Sequence, residues 1–184
     1  NDPAFLPILK EAALGQDTAF RRAALDALAS ARSVDALPVL VTLAREGSEE
    51  ERALAIHAAS NVAGSIGGAG DAEAAGNAFL ELYALAGDPA VRRTALEGLA
   101  RYPVAAAHDT VVSALADEAL ANTARAALPG LFGALVKSGA QDKALEIFDR
   151  VLRGGAAPDV LVGMASRLQG LQTALDTTQL LGVV

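Results

Sequence analysis

The sequence predicts an all-α protein, a right-handed α-solenoid of about five antiparallel helix pairs. Alanine and leucine supply 70 of the 184 residues, whereas valine and isoleucine supply only 18. This balance favours helix over strand, because unbranched side chains lose little rotamer freedom in a helix. In addition, a helix-like window recurs along the chain, and other amphipathic segments alternate with it. Helix pairs of about 30 residues joined by short turns are typical of solenoids, in which stacking buries the apolar stripe of each helix.

The repeated window starts with a helix-capping residue and continues with apolar residues at three- and four-residue steps, which is the spacing of one helix face. Shifting the first window by 71 residues reproduces its pattern position for position, including an arginine pair. Shifts of 31 and 100 give weaker copies, and the last copy lacks the arginines. We call the four predicted helices the B helices. The side chains expected to accept hydrogen bonds at their first turns are Asp17, Ser48, Asp88 and Asp117.

The segments between the windows predict a second set, the A helices. These cover residues 3–14, 35–45, 73–86, 104–116 and 142–153, and a final B-like segment covers 158–171. Residues 1–179 are therefore predicted to form a single domain. Residues 180–184 end in an apolar run that is typical of a strand, so we expect a tail there or the start of a following β-containing domain.

Two features are expected to disturb the regular repeat. The segment 64–70 holds four glycines and coincides with the longest spacing between windows. It predicts a flexible loop between helices, in which a deletion of residues 67–70 would be tolerated. It lacks the lysine and the preceding strand of a phosphate-binding loop. In the fourth copy, Pro129 and Gly130 predict an interruption and a kink in the B helix.

The repeat resembles the HEAT-repeat family, including its shorter bacterial HEAT-like type. The resemblance lies in the Asp-x-x-Φ-Arg-x-x-Ala-Φ-x-x-Φ cores at 17–28 and 88–99, with a partial copy at 48–59. It implies that the B helices line the concave face of the solenoid. It also implies a ladder between neighbouring repeats, formed by Asp and Arg residues of the windows, with Arg21, Arg52 and Arg92 as its arginines. Members of the family serve as scaffolds, adaptors and occasional enzymes.

Composition argues against several classes of function. The chain has no cysteine, which excludes disulfide scaffolds, thiol catalysis and cysteine zinc sites. Its net charge of −7 is unlike the basic surface that nucleic-acid binding requires. No apolar run is long enough to span a membrane, and no serine lies in a nucleophile elbow. His57 and His108 lie in different repeats and do not supply a metal shell. We therefore expect no catalysis, no cofactor and no metal.

One polar surface remains as the candidate site. Aligning the windows places polar residues at equivalent positions in the B helices, and these positions face the concavity if the B helices line it. Arginine and tyrosine are enriched among the residues that dominate protein interfaces, so they are the expected anchors. The candidate partner-binding residues are Arg22, Asp26, His57, Asn61, Arg93, Glu97, Arg101 and Tyr102.

The sequence thus predicts a non-catalytic protein-interaction or spacer module, a segment of a larger multidomain protein. Its expected partner is another protein or another domain of the same parent chain. The alternative is an enzyme-associated HEAT module of the phycobilin-lyase type that holds a small ligand in the concavity. The aromatic content of 4% counts against that alternative. We expect a periplasmic or exported location if the parent is a large multidomain bacterial protein, and a cytoplasmic one otherwise.

Overall fold

The structure, a computed structural model, describes residues 5–31, 33–155, 158 and 160–168. Over these residues it consists of helices and turns without a strand, which confirms the all-α prediction. The predicted tail at 180–184 lies outside the described residues. Short 3-10 turns at Val34–Ala36 and Ala105–Ala107 precede α3 and α7. The α-helices are α1 Leu6–Ala13, α2 Thr18–Ala31, α3 Leu37–Glu46, α4 Glu49–Gly68, α5 Ala72–Leu85, α6 Pro89–Arg101, α7 His108–Ala114, α8 Ala121–Lys137, α9 Gln141–Arg153 and α10 over 160–168.

Three of the four predicted capping residues directly precede the first residue of a helix. The carboxylates of Asp17 and Asp88 each accept a hydrogen bond from the backbone N–H two residues later, at 2.9 and 2.8 Å. Ser48 and Glu51 form a reciprocal capping box at the start of α4. Such caps contribute about 1 kcal/mol each. Asp117 differs, because it caps a turn that precedes the start of α8.

The helices pack in the order of the chain. Helix α4 contacts both of its sequence neighbours, α3 and α5, and also α2 and α6. Contacts α2–α4, α4–α6 and α6–α8 make the even-numbered helices one continuous series, and these are the predicted B helices. The odd-numbered series is less continuous. Helix α3 contacts α1 and α5, whereas α5 and α7 make at most marginal contact.

The hydrophobic core draws on both series of helices. Its fully buried large side chains include Leu28 of α2, Leu40 of α3, Leu82 of α5, Leu96 of α6 and Leu131 of α8. Burying each such side chain contributes about 1.5–3 kcal/mol. Alanines occupy many of the remaining core positions, and their small side chains let the helices approach closely. The alanine-rich and leucine-rich composition therefore serves packing as well as helix formation.

The glycine-rich segment is not the loop that its composition predicts. Residues 64–68 form the last turns of α4, and the chain turns only at Ala69 and Gly70. The reason is tertiary. The Tyr102 hydroxyl donates to the Gly64 carbonyl (3.2 Å), and its ring lies where a Cβ of Gly67 would be. These contacts outweigh the low helix propensity of glycine, about 1 kcal/mol per residue. Deleting residues 67–70 is therefore expected to destabilise the protein.

Helix α8 is also not interrupted where the sequence predicted it. It runs from Ala121 to Lys137 with Pro129 inside. Proline removes one backbone donor but here does not end the helix. The neighbouring Gly130 packs near Pro103 and the carbonyl of Ala100, so this part of α8 is supported by the segment that follows α6.

Candidate partner-binding surface

The predicted polar positions lie on the exposed sides of α2, α4 and α6. Within each helix the three positions are four residues apart, so they form one stripe. Because the three helices contact one another in order, the stripes form one continuous surface, which we call the B-face. All of its residues are exposed: Arg22, Asp26 and Ser30 on α2, Ala53, His57 and Asn61 on α4, and Arg93, Glu97 and Arg101 on α6.

A groove of about 360 Å³ lies in the B-face between α4 and α6. It brings together four of the eight candidate residues, Asn61, Glu97, Arg101 and Tyr102. In the described part of the chain, neither Glu97 nor Arg101 forms an ion pair. The groove therefore presents the carboxylate of Glu97 and the guanidinium of Arg101 to a ligand, whereas the Asn61 amide nitrogen already bonds His57 Nδ1 over 3.3 Å.

Tyr102 is part of the groove wall and is held firmly in place. It is half-buried, and its ring stacks on Phe79 with the ring centres 6.2 Å apart and the planes 6° from parallel. Its hydroxyl is already bonded to the Gly64 carbonyl. The sequence predicts that Tyr102 anchors a partner. In the structure its ring and its hydroxyl instead contact other residues of the same chain, Phe79 and Gly64.

Two of the B-face arginines make contacts between helices. Arg22 of α2 forms an ion pair of 2.9 Å with Glu50 of α4, and both side chains are exposed. Arg93 of α6 donates to the carbonyl of Ala119, just before α8, over 3.4 Å. Exposed contacts of this kind contribute about 0–1 kcal/mol, so an incoming partner could replace them at little cost.

Arg21 and Arg92 act at the junction between an A helix and the following B helix. Arg21 donates to the Gly15 carbonyl (3.2 Å), and Arg92 donates to the Ala86 carbonyl (2.9 Å). In both cases the acceptor lies six residues before the arginine. Arg92 also lies over the ring of Tyr83, 5.6 Å from its centre. These arginines therefore close the turn within one helix pair.

Among the described residues, one of the three predicted ladder arginines contacts the following helix pair. Arg21 Nε lies 2.7 Å from Glu51 Oε1 of α4, an ionic contact without good hydrogen-bond alignment. Hydrogen bonds from Ser48, together with the charge of Arg21, lower the pKa of Glu51 below its ordinary value. Arg52, the third predicted arginine, is exposed, and none of the described residues bonds its side chain. Asp17 and Asp88 cap their own helices instead of pairing with these arginines.

A second cluster of charged residues was not anticipated from the sequence. His108 is buried at the start of α7. Its Nδ1 hydrogen-bonds Asp109 Oδ1 (2.7 Å), and its Nε2 lies 3.1 Å from Glu146 Oε2 on α9, a close contact without good hydrogen-bond alignment. Lys143 approaches Asp109 at 3.4 Å, and Arg150 bonds Glu146 at 2.9 Å. The cluster joins two helices whose backbones make at most marginal contact.

The hydrogen bonds and charges of this cluster stabilise the ionised form of its two carboxyl groups. The hydrogen bond from His108 is the main cause of a pKa of Asp109 below its ordinary value, and Lys143 adds to the effect. Arg150 is the main cause of the lowered pKa of Glu146. Sequence reasoning missed the cluster because His108 and Glu146 are far apart along the chain. The local signals are the adjacent His108-Asp109 pair and the four-residue spacing of Glu146 and Arg150, and neither predicts a contact between α7 and α9.

The described residues hold no group of three histidine, aspartate or glutamate side chains that could bind a metal ion. Among the same residues no helix is both long and apolar enough to cross a membrane. No protein-family model and no curated protein matches the chain in sequence. What the B-face can do is therefore inferred from its geometry and charge.

Proposed function

We propose that the protein is a non-catalytic interaction module, a right-handed HEAT-like α-solenoid that binds another protein through the B-face. One observation carries the proposal. The B helices α2, α4 and α6 form a series in which each contacts the next, and all three expose residues at the same three positions of the repeat. A partner that lies across the helices would therefore meet a repeated polar surface, which is how solenoids bind extended ligands.

The groove between α4 and α6 is the proposed centre of this surface. Glu97 and Arg101 are four residues apart on α6, so their side chains lie on the same side of the helix, and Asn61 lines the same groove from α4. A partner segment with both a cationic and an anionic or carbonyl group fits this arrangement. Arginine is enriched among residues that dominate binding energy, so Arg101 is the proposed anchor.

The test reverses the two charges of the groove without changing the net charge. The B-face variant is Glu97→Arg with Arg101→Glu. The matched control is Arg45→Glu with Glu81→Arg, which exchanges a 3.2 Å ion pair between α3 and α5 on the odd-numbered helices. A partner protein is first captured with the wild-type chain from a lysate of the source cells and purified. Its affinity for the wild type, the B-face variant and the control variant is then measured by calorimetry. We expect affinity to fall by about tenfold or more for the B-face variant alone, about 1.4 kcal/mol.

Two results would contradict the proposal. One is a purified partner that binds wild-type protein and the B-face variant equally well. The other is a stable visible-absorbing complex after titration with a linear tetrapyrrole, which would support the alternative of a small-ligand module. Circular dichroism of both variants should match the wild type, since the substituted side chains are exposed.

A further inference from the structure

The two outer helices of the B-face carry the same pair of charges. On both α2 and α6 an arginine is followed four residues later by a carboxylate, at equivalent positions of the repeat. The stripe of α4 between them contains neither an arginine nor a carboxylate. The two pairs are Arg22 with Asp26 on α2 and Arg93 with Glu97 on α6. The charge pattern of α2 is therefore presented again two helices further along the surface.

In each pair the arginine is engaged and the carboxylate is available. Each arginine already bonds a group outside its own helix. Among the residues that the structure describes, no basic side chain forms an ion pair with Asp26 or Glu97, and both are exposed. A partner that lies across the three helices therefore meets two open negative charges. The net charge of −7 adds to the attraction for a basic partner.

The ends of the chain that the structure does not describe lack cations for these carboxylates. Residues 1–4 and 169–184 contain no lysine and no arginine. They contain two aspartates, which the negative charges of Asp26 and Glu97 would repel. The expected cations therefore belong to a partner.

The distance between the two carboxylates sets the spacing of the partner's cations. Helix α4 contacts both α2 and α6 and lies between them. Packed helices have axes about 8–10 Å apart, so Asp26 and Glu97 lie about 16–20 Å apart. An extended chain rises about 3.1–3.3 Å per residue and covers this distance in about six residues. Six residues are two turns of polyproline II and three repeats of a strand, so in both conformations the two side chains point to the same side.

The groove between α4 and α6 favours an extended segment over a helix. Its volume of about 360 Å³ is smaller than one turn of a helix that is about 10–12 Å wide. An extended segment can place a single side chain there, beside Glu97. Arg101 lines the same groove and can donate to a carbonyl of the segment. The groove therefore defines where the second cation binds.

We propose that the B-face binds an extended basic segment of a partner protein, in which two lysine or arginine side chains six residues apart contact Asp26 and Glu97. A backbone carbonyl near the second cation accepts a hydrogen bond from Arg101. This inference rests on the proposed function, because it names the kind of partner that the same surface takes.

Synthetic peptides test the spacing. Two proline- and serine-rich peptides have the same composition and length, and each carries two arginines, six residues apart in one and three residues apart in the other. Such sequences favour the polyproline II conformation. An alanine-rich helical peptide with arginines eleven residues apart, about 16 Å along one face, tests a helical partner. Fluorescence anisotropy at low salt, where exposed charges are least screened, measures the affinities.

We expect the peptide with the six-residue spacing to bind the wild type about tenfold more tightly than either other peptide. The variant Asp26→Asn with Glu97→Gln should lose this preference. The matched control, Glu73→Gln with Asp142→Asn, removes two exposed carboxylates from α5 and α9 and should keep it. Circular dichroism checks that both variants are folded.

Equal affinities for the two proline-rich peptides would overturn the inference. So would tighter binding of the helical peptide, no binding of any peptide, or a spacing preference that persists without the two carboxylates. The purified partner separates this failure from that of the proposed function. A partner that loses affinity for the charge-reversed B-face variant, but binds Asp26→Asn with Glu97→Gln as tightly as the wild type, overturns this inference alone. A partner that binds both variants like the wild type contradicts both proposals.

Discussion

The ring of Tyr102, which follows α6, lies against the backbone of Gly67 on α4 and leaves no room there for a Cβ. On its other side the ring stacks on Phe79 of α5, and Phe79 in turn occupies the space beside Gly98 of α6. One aromatic pair therefore joins three successive helices, and glycines provide the space for it. The hydroxyl bond to Gly64 places the ring in one orientation.

Gly67→Ala is expected to lower the free energy of unfolding by about 1–3 kcal/mol, because the new methyl group overlaps the Tyr102 ring. Gly64→Ala in the same helix is the control, since a Cβ there meets no other atom within 4 Å. It should raise stability by about 0.5–1 kcal/mol through helix propensity. Urea titration measures both, and equal effects of the two substitutions would contradict the close packing at Gly67.

Glu51→Ala is expected to cost about 1–2 kcal/mol at neutral pH, because it removes the capping box and the contact with Arg21. Glu50→Ala, which breaks only an exposed ion pair, should cost less than about 0.5 kcal/mol. The folded-state pKa of Glu51 is lowered, so its charge contributes fully above the ordinary value of 4.5 and less as the pH falls through the lowered value. The difference in urea midpoint between wild type and Glu51→Ala should therefore narrow in acid. A difference that stays constant would show that the charge has no role.

Arg92→Ala is expected to destabilise the protein by about 1–2 kcal/mol, since it removes the bond to the Ala86 carbonyl and the contact with Tyr83. Arg52→Ala is the matched control, because Arg52 has the same position in the repeat and is exposed. Its effect should be within about 0.5 kcal/mol. Denaturant titration measures the free energy of unfolding of both variants. Equal losses for Arg92→Ala and Arg52→Ala would mean that Arg92 behaves as an ordinary surface residue.

His108→Ala is expected to cost about 1–3 kcal/mol, because it removes a buried ring and leaves Asp109 and Glu146 without their shared partner. His57→Ala should change stability by less than about 0.5 kcal/mol, since that ring is exposed on α4. Amide hydrogen exchange supplies a second readout, and it should quicken in α9 for the His108 variant. Unchanged exchange in α9 would contradict a bridge between α7 and α9.

The local features of the helices could be read from the sequence. Alternation of A and B segments, their approximate bounds and the caps at Asp17, Ser48 and Asp88 all depend on interactions within a few residues. The same holds for the exposure of the B-face, because a four-residue spacing of polar side chains defines one side of a helix. His57 was expected on the surface of its helix and is exposed there.

Features that depend on contacts between residues far apart in the sequence could be seen only in the tertiary structure. Composition predicts a loop at 64–68, yet the contact with Tyr102 makes it helix. The family resemblance implies a ladder between repeats, yet Arg21 has a partner in the next pair and Arg52 has none among the described residues. His108 and Glu146 meet only because α7 and α9 are neighbours in space. The sequence by itself thus determined the helices and their polar sides, through hydrogen bonding and periodicity within each segment. Packing between segments decided whether the glycine-rich segment is helical and which charged side chains are paired. Both depend on residues that are distant in the sequence and become neighbours only in the folded chain.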